Sequence, residues 1–183
     1  MLGLNRYKIS VSESDSGWKS EYEKIASEIR EATSHIEVQI EHIGSTSVPG
    51  LAAKPIVDVG ILLCDCADFQ SLEAALSSIG LIYRGDKGTE GGHLFIRESA
   101  PEVRTHHIHV YFKGAPEWDQ YLTFRDRLRG STELREEYGA LKRKLAEKYE
   151  DDRFAYTAGK TEFVQRVLEF LDEPRCDIKL HVS

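Results

Sequence analysis

Glu41-His42-Ile43-Gly44-Ser45-Thr46-Ser47-Val48-Pro49-Gly50-Leu51, running through Ala52-Ala53-Lys54-Pro55 into Ile56-Val57-Asp58-Val59-Gly60-Ile61-Leu62-Leu63, is the stretch that decides the fold. Ahead of it, Ile36-Glu37-Val38-Gln39-Ile40 is apolar at every second position, the alternation of a half-buried strand. Gly44 ends that strand, because glycine accepts positive φ and lets backbone approach a ligand closely. The hydroxyls of Ser45, Thr46 and Ser47 can cap a following helical turn, and N–H groups clustered at a helix start form an anion site. The stretch therefore reads as strand, phosphate-sized turn, short helix, strand. The second strand carries one acid, Asp58, in an otherwise apolar run. A carboxylate placed there needs a partner or a metal, since burying an unpaired charge is costly.

Outward from this centre, Val103 to Phe112 is the next strong strand. Its period of two puts Ile108, Val110 and Phe112 on one face and His107, His109 and Tyr111 on the other. The central strand divides in the same way, with Val57, Val59, Ile61 and Leu63 opposite Asp58 and Gly60. If the two strands share a sheet, Asp58, His107 and His109 converge. Leu81 to Tyr83 and Leu94 to Ile96 read as short strands around a glycine-rich hairpin loop, Gly85 to Gly92. Tyr7 to Val11 alternates weakly as an edge strand. Spacings of three and four predict helices through Trp18, Tyr22, Ile25 and Ile29, through Phe69, Leu72 and Leu76, through Trp118, Tyr121 and Leu128, through Tyr138, Leu141 and Leu145, and through Phe163, Val167, Phe170 and Leu171. The apolar stripe beginning at Trp18 is core. The chain reads as one domain over residues 1–172 with a tail at 173–183.

With 183 residues the chain is long enough for one substantial core. Its net charge of −7 argues against non-specific nucleic-acid binding, which depends on counterion release by a basic surface. Small ligands remain open. Three cysteines, Cys64, Cys66 and Cys176, make an odd count without scaffold spacing and point to reduced thiols and a cytoplasmic location. Met1 to Ser10 lacks the apolar core of a signal peptide, and the longest apolar run, Ile56 to Cys64, is too short to span a bilayer.

Each chemical reading has a plainer rival. Asp58 is a metal ligand or an acid satisfied by the Gly44 to Ser47 hydroxyls and N–H groups. His106, His107 and His109 are metal ligands or hydrogen-bonded histidines, with His93 a further candidate and His42 a packing or capping residue. Lys54, Arg84 and Arg97 meet phosphates, or are solvated, or pair with Asp86 or Glu98. Gly159-Lys160-Thr161 imitates the end of a Walker A loop but fails it, since the earlier glycine would fall at Phe154. Lys160 remains a candidate phosphate contact at a helix start. Cys64-Asp65-Cys66 lacks the spacer of zinc pairs and reads as strand-end packing. The mixed-sign run Arg125 to Lys148 reads as a solvated helix face.

The words His42-Ile43-Gly44-Ser45-Thr46-Ser47-Val48-Pro49-Gly50-Leu51, Ala53-Lys54-Pro55-Ile56-Val57-Asp58, Arg104-Thr105-His106-His107-Ile108-His109-Val110 and Ala155-Tyr156-Thr157 with Gly159-Lys160-Thr161 closely resemble the GrpB-like family. That family is a branch of the nucleotidyltransferase superfamily that also occurs fused to some dephospho-CoA kinases. The resemblance covers Trp18 to Leu171. It implies an α+β fold, with a mixed twisted sheet carrying helices on one face and a helical C-terminal half. It further implies a nucleoside triphosphate held at Gly44, Ser45 and Thr46 and a divalent metal, Mg²⁺ or Mn²⁺, on Asp58. The second acid of the superfamily, two residues on, is Gly60 here, and the later strand offers histidines where a third acid would stand. Histidines suit Zn²⁺, Mn²⁺ or Fe²⁺ better than Mg²⁺. Three readings follow. One is a metal-dependent nucleotidyltransferase-like protein with His107 and His109 as ligands or acid-base groups. The others are a non-catalytic nucleotide- or CoA-type binding module and a histidine-metal hydrolase.

Overall fold

The structure is a computed structural model that describes residues 2–88 and 92–169. The expected tail at 173–183 lies outside the described residues, as do Phe170, Leu171 and Cys176. The described strands are β1 (Leu4–Asn5), β2 (Val38–Ile43), β3 (Val57–Leu63), β4 (Ile82–Asp86), β5 (His93–Ala100) and β6 (Val103–Phe112). The described helices are α1 (Gly17–Ala32), α2 (Phe69–Ser78), α3 (Pro116–Gly130), α4 (Thr132–Lys148), α5 (Arg153–Ala158) and α6 (Thr161–Glu169).

One mixed sheet runs in the order β2-β3-β6-β5-β4. β2 and β3 pair antiparallel and β3 and β6 pair parallel, so the two strands expected to meet do share a sheet. β1 pairs with β6 at Val103 and Arg104, just ahead of His106, where the β3 pairing begins. The β3 register against β6 sets Asp58 opposite His107 and Gly60 opposite His109. Strand alternation then puts these residues on one face and Val57, Val59, Ile61 and Leu63 on the other.

Val57, Val59, Ile61, Leu63, Ile108 and Val110 are fully buried on that other face, beneath Trp18, Ile25 and Ile29 of α1 and Leu72 and Leu76 of α2. Burying each such side chain contributes about 1.5–3 kcal/mol. The C-terminal helical half covers the Asp58 face: Trp118, Tyr121 and Leu122 of α3 pack on Leu62 and Tyr111. Local chemistry fixes the helix starts there. Pro116 opens α3, with Glu117 and Asp119 in its first turn and Arg127 and Arg129 in its last, matching the helix dipole. Ser131 caps α4 by accepting from Leu134 N–H at 3.2 Å, and Asp152 caps α5 by accepting from Ala155 N–H at 2.9 Å.

Tyr7 to Val11 does not form the expected edge strand. Ile9 turns inward onto Leu145 and Tyr156, and its N–H donates to Glu150 O at 3.2 Å instead of to a strand partner. The strand lies three residues earlier, in β1.

Two buried histidines give the fold an acid limit. Burial holds both His42 and His106 down to about 4 from an ordinary 6.5. Each stays neutral when folded and takes a proton when unfolded, so the stability due to neutrality is present above pH 6.5 and lost as pH falls towards 4. The full loss is of order 3 kcal/mol per histidine. Denaturant unfolding across that range should show the steepest fall there, and His106→Gln should flatten it.

Candidate active site

Gly44 turns the chain from β2 into the site with φ of +67°, and its backbone runs directly over the Asp58 carboxylate. A Cβ at Gly44 would stand 2.5 Å from Asp58 Oδ2. The turn that follows, Ser45–Ser47, is a single 3-10 turn closed by the Ser47 and Val48 N–H groups on the Gly44 and Ser45 carbonyls, both at 3.2 Å. The first N–H groups of such a turn, those of Ser45 and Thr46, have no partner inside it. Gly44→Ala should cost roughly 1–3 kcal/mol from backbone strain alone, with the Asp58 contact on top. Gly50, with φ of +80° and nothing within 4 Å, is the control, and urea unfolding of the two alanine variants isolates that contact.

Asp58, His107 and His109 come together as expected. One ligand atom from each lies within 4.8 Å of the others. Asp58 Oδ1 is 3.2 Å from His107 Nδ1 and 3.8 Å from His109 Nε2. An ionised carboxylate only accepts, so His107 carries its proton on Nδ1 and donates to Asp58. Burial presses the Asp58 carboxyl upward, but the hydrogen bonds and charges of His107 and His109 outweigh it, and the net result is well below the usual carboxylate range. Burial also lowers His107, against the pull of Asp58. The trio fits a divalent metal: the two short separations are close to the edge of a zinc tetrahedron, about 3.4 Å. One oxygen and two imidazole nitrogens favour Zn²⁺, Mn²⁺ or Fe²⁺ over Mg²⁺. A metal would replace the His107 Nδ1 proton, so its binding releases a proton and weakens in acid.

Position 60, where a second acid would stand, is filled by its neighbours. A Cβ on Gly60 would lie 3.0 Å from Trp118 Cζ3 and 3.2 Å from Ile43 Cγ2. Any side chain there must push the Trp118 ring or the Ile43 methyls aside by a few tenths of an ångström.

Two cavities meet at Ser45, Asp58 and Lys160. The first, about 180 Å³, is lined by Lys8, Lys54, Lys142, Lys160, Arg6, Arg104 and Arg153 against one carboxylate, Asp58. The second, about 360 Å³, presents Tyr121, Phe124, Leu128, Tyr138 and Val164, with Glu117, Gln120 and Arg125. Lys54 and Lys160 both stand over the Tyr156 ring, at 4.2 and 4.8 Å from its centre. Lys142 donates to Ser45 Oγ at 2.9 Å and to Ala52 O, and lies over the Tyr138 ring. Burial first, then Lys160 and Arg153, hold Lys54 down to about 7, and burial with Lys160 and Arg143 does the same to Lys142.

Of the residues picked from the sequence, the cleft thus gathers Gly44, Ser45, Thr46, Lys54, Asp58, His107 and Lys160, with His109 beside them. Arg84 and Arg97 are not brought there. Arg97 pairs with Glu28 at 2.7 Å and donates to Ile79 O, and Arg84 faces Glu98 at 3.6 Å. His93 points away too, bonded to Tyr83 Oη at 2.6 Å and packed on Phe69. His106 bonds to Thr105 Oγ1 at 2.9 Å. His42 bonds to Thr46 Oγ1 at 3.1 Å and stacks on Tyr22, the packing role of the two expected for it.

The run Arg125 to Lys148 is not wholly a solvated face. Arg125 is buried against Glu41 and His42 O, and Lys142 is 2% exposed in the cleft. Lys142 follows buried Tyr138 by four residues and precedes buried Leu145 by three, so helical spacing alone places it on the inner face. Arg6, Lys8 and Arg153 carried no comparable signal, because distant segments bring them in.

This fold, a mixed sheet with helices packed on it, is nucleotidyltransferase-like. The Cid1 poly(U) polymerase, solved with magnesium and 3'-dATP bound, matches 77% of this chain and 43% of its own with a TM-score of 0.51 at 16% identity, a likeness of fold alone. The GrpB protein family model matches residues 8–169, and the chain belongs to that family. It is 31% identical to the conserved protein GrpB from Enterococcus faecalis, whose crystal structure matches with a TM-score of 0.79 over 88% of this chain and 96% of that one. It is 38% identical to the UPF0157 protein PA4798 of Pseudomonas aeruginosa over 88% of this chain, which spans 66% of that relative's length. Among the described residues, no helix is long and apolar enough to cross a membrane.

Proposed function

We propose that the chain is a metal-dependent nucleotidyltransferase-like protein that binds a nucleoside triphosphate and transfers its nucleotidyl group to an acceptor. The observation that carries this reading is the meeting of the Asp58-His107-His109 trio with a cation-lined cavity at the Gly44–Thr46 turn. Asp58, His107 and His109 would hold one divalent ion, which when bound supplies Lewis acidity towards a phosphate oxygen. The chain's own residues do the rest. Ser45 and Thr46 N–H groups and hydroxyls bind the phosphates, Lys54 and Lys160 offset their charge, and the aromatic cavity receives the nucleoside. In transfer, an acceptor hydroxyl oxygen bonds to the α-phosphorus and gives up its proton to water as the bond from the α-phosphorus to the α–β bridging oxygen breaks, and diphosphate leaves with that bond's electron pair.

A second reading, a binding module without transfer, has one observation in its favour: Gly60 stands at the second-acid position, crowded by Trp118 and Ile43. Both readings require binding. A matching nucleoside triphosphate with Mn²⁺ or Zn²⁺ should stabilise the protein by ~2.7 kcal/mol at a hundredfold excess over Kd. Ser45→Ala with Thr46→Ala should remove most of that gain in a thermal melt. A broad nucleotide panel with each metal and no shift at millimolar ligand would remove the proposal. Release of diphosphate from the triphosphate on addition of candidate acceptors separates transfer from binding alone.

A further inference from the structure

The cation-lined half of the cleft holds more positive charge than the metal trio explains. Its cations arrive from five places: Arg6 and Lys8 after β1, Lys54 before β3, Arg104 in β6, Lys142 in α4, and Arg153 with Lys160 around α5. Arg6 pairs with Glu102 at 3.2 Å, but among the described residues no carboxylate forms an ion pair with Lys54, Lys142, Lys160, Arg104 or Arg153. Arg104 is 8% exposed, and its Nε is buried without a hydrogen-bond partner among the described residues. Burial weighs on it first, then the like charges of Arg153, Arg6 and Arg84, against a smaller attraction from Glu98. Buried cations left without anions are costly, and an unpartnered arginine donor at a cavity wall leaves a hydrogen-bond position that a ligand oxygen can fill.

We infer that this half of the cleft is a polyphosphate site in its own right, binding inorganic diphosphate without any metal through Lys54, Arg104, Lys142, Arg153 and Lys160. It rests on the transfer reading only for the role of that ligand as the released group. Occupation also charges the lysines. Lys54 faces Lys160, Arg153 and Asp58, and Lys142 faces Lys160, Arg143 and Asp58. With both near 7 when the cleft is free, an arriving anion raises them and protons are taken up at pH 8.

The test is calorimetric titration of inorganic pyrophosphate into the full chain with EDTA present. Two buffers of different ionisation enthalpy give the proton count. Wild type should bind with net proton uptake, and Lys54→Met should bind more weakly with less uptake. Arg153→Gln, a change at an exposed position, should weaken binding about tenfold, the equivalent of ~1.4 kcal/mol. Asp58→Asn removes the cavity's one carboxylate and should tighten metal-free binding several-fold, the opposite of its effect on metal-dependent nucleotide binding. Absence of pyrophosphate binding in EDTA, or weaker binding by Asp58→Asn with its fold intact by circular dichroism, would overturn the inference. If pyrophosphate binds without metal but no nucleotide binds with metal, the inference stands and the nucleotidyltransferase reading falls. If nucleotide binds with metal and pyrophosphate does not bind without it, the reverse holds.

Discussion

Asp58→Asn is expected to lower affinity for Mn²⁺ or Zn²⁺ by at least about a hundredfold, beyond the 10–100-fold typical for loss of a group that only supports a ligand. The amide keeps nearly the same volume, so Gly44 still fits over it, but it lacks the charge that balances the ion. Metal-dependent nucleotide binding should fall with it. His107→Ala and His109→Ala should each reduce metal affinity more than His42→Ala or His106→Ala, because His42 and His106 bond to Thr46 and Thr105 and neither belongs to the trio. Isothermal titration with each ion is the measurement. A wild-type affinity retained by Asp58→Asn, with only stability reduced, would return Asp58 to the role of a buried acid satisfied by its neighbours.

Gly60→Asp is expected to destabilise the protein by roughly 3 kcal/mol or more, because it places a charge between Trp118 and Ile43 where a Cβ already meets the Trp118 ring and two Ile43 methyls. It should not raise affinity for Mg²⁺. Gly60→Asp combined with Trp118→Ala relieves the contact and should recover part of the stability in urea unfolding. A folded Gly60→Asp single variant with tighter Mg²⁺ binding would show that the second-acid position is open after all.

The sheet and its polar face were legible because period two is a local signal. Ile36 to Gly44, Val57 to Leu63 and Val103 to Phe112 each announce which side chains share a face, and one pairing then puts Asp58 opposite His107. Tyr7 to Val11 misled because its weak alternation competes with the packing of Ile9 on Leu145 and Tyr156, a contact between residues far apart in the chain. The same limit hid half of the cleft. Lys54 and Lys160 stand beside glycine and proline punctuation and could be picked out. Arg6, Lys8 and Arg153 are ordinary surface letters until β1 and α5 are brought to the same cavity. Arg84 and Arg97 look no different in sequence, yet Glu98 and Glu28 hold them elsewhere. Gly60 could be seen to lack an acid, but that Trp118 crowds the position depends on how α3 crosses the sheet.

The central claim is that Asp58, His107 and His109 hold a metal beside bound phosphates. Its most direct test is anomalous diffraction from crystals grown with Mn²⁺ or Zn²⁺ and a nucleoside triphosphate. The expected result is one anomalous peak between Asp58 Oδ1, His107 Nδ1 and His109 Nε2, with phosphate density running from it over Ser45 and Thr46 towards Lys54 and Lys160. Phosphate density in the cleft with no metal at the trio, or a metal bound elsewhere while His107 still donates to Asp58, would contradict it.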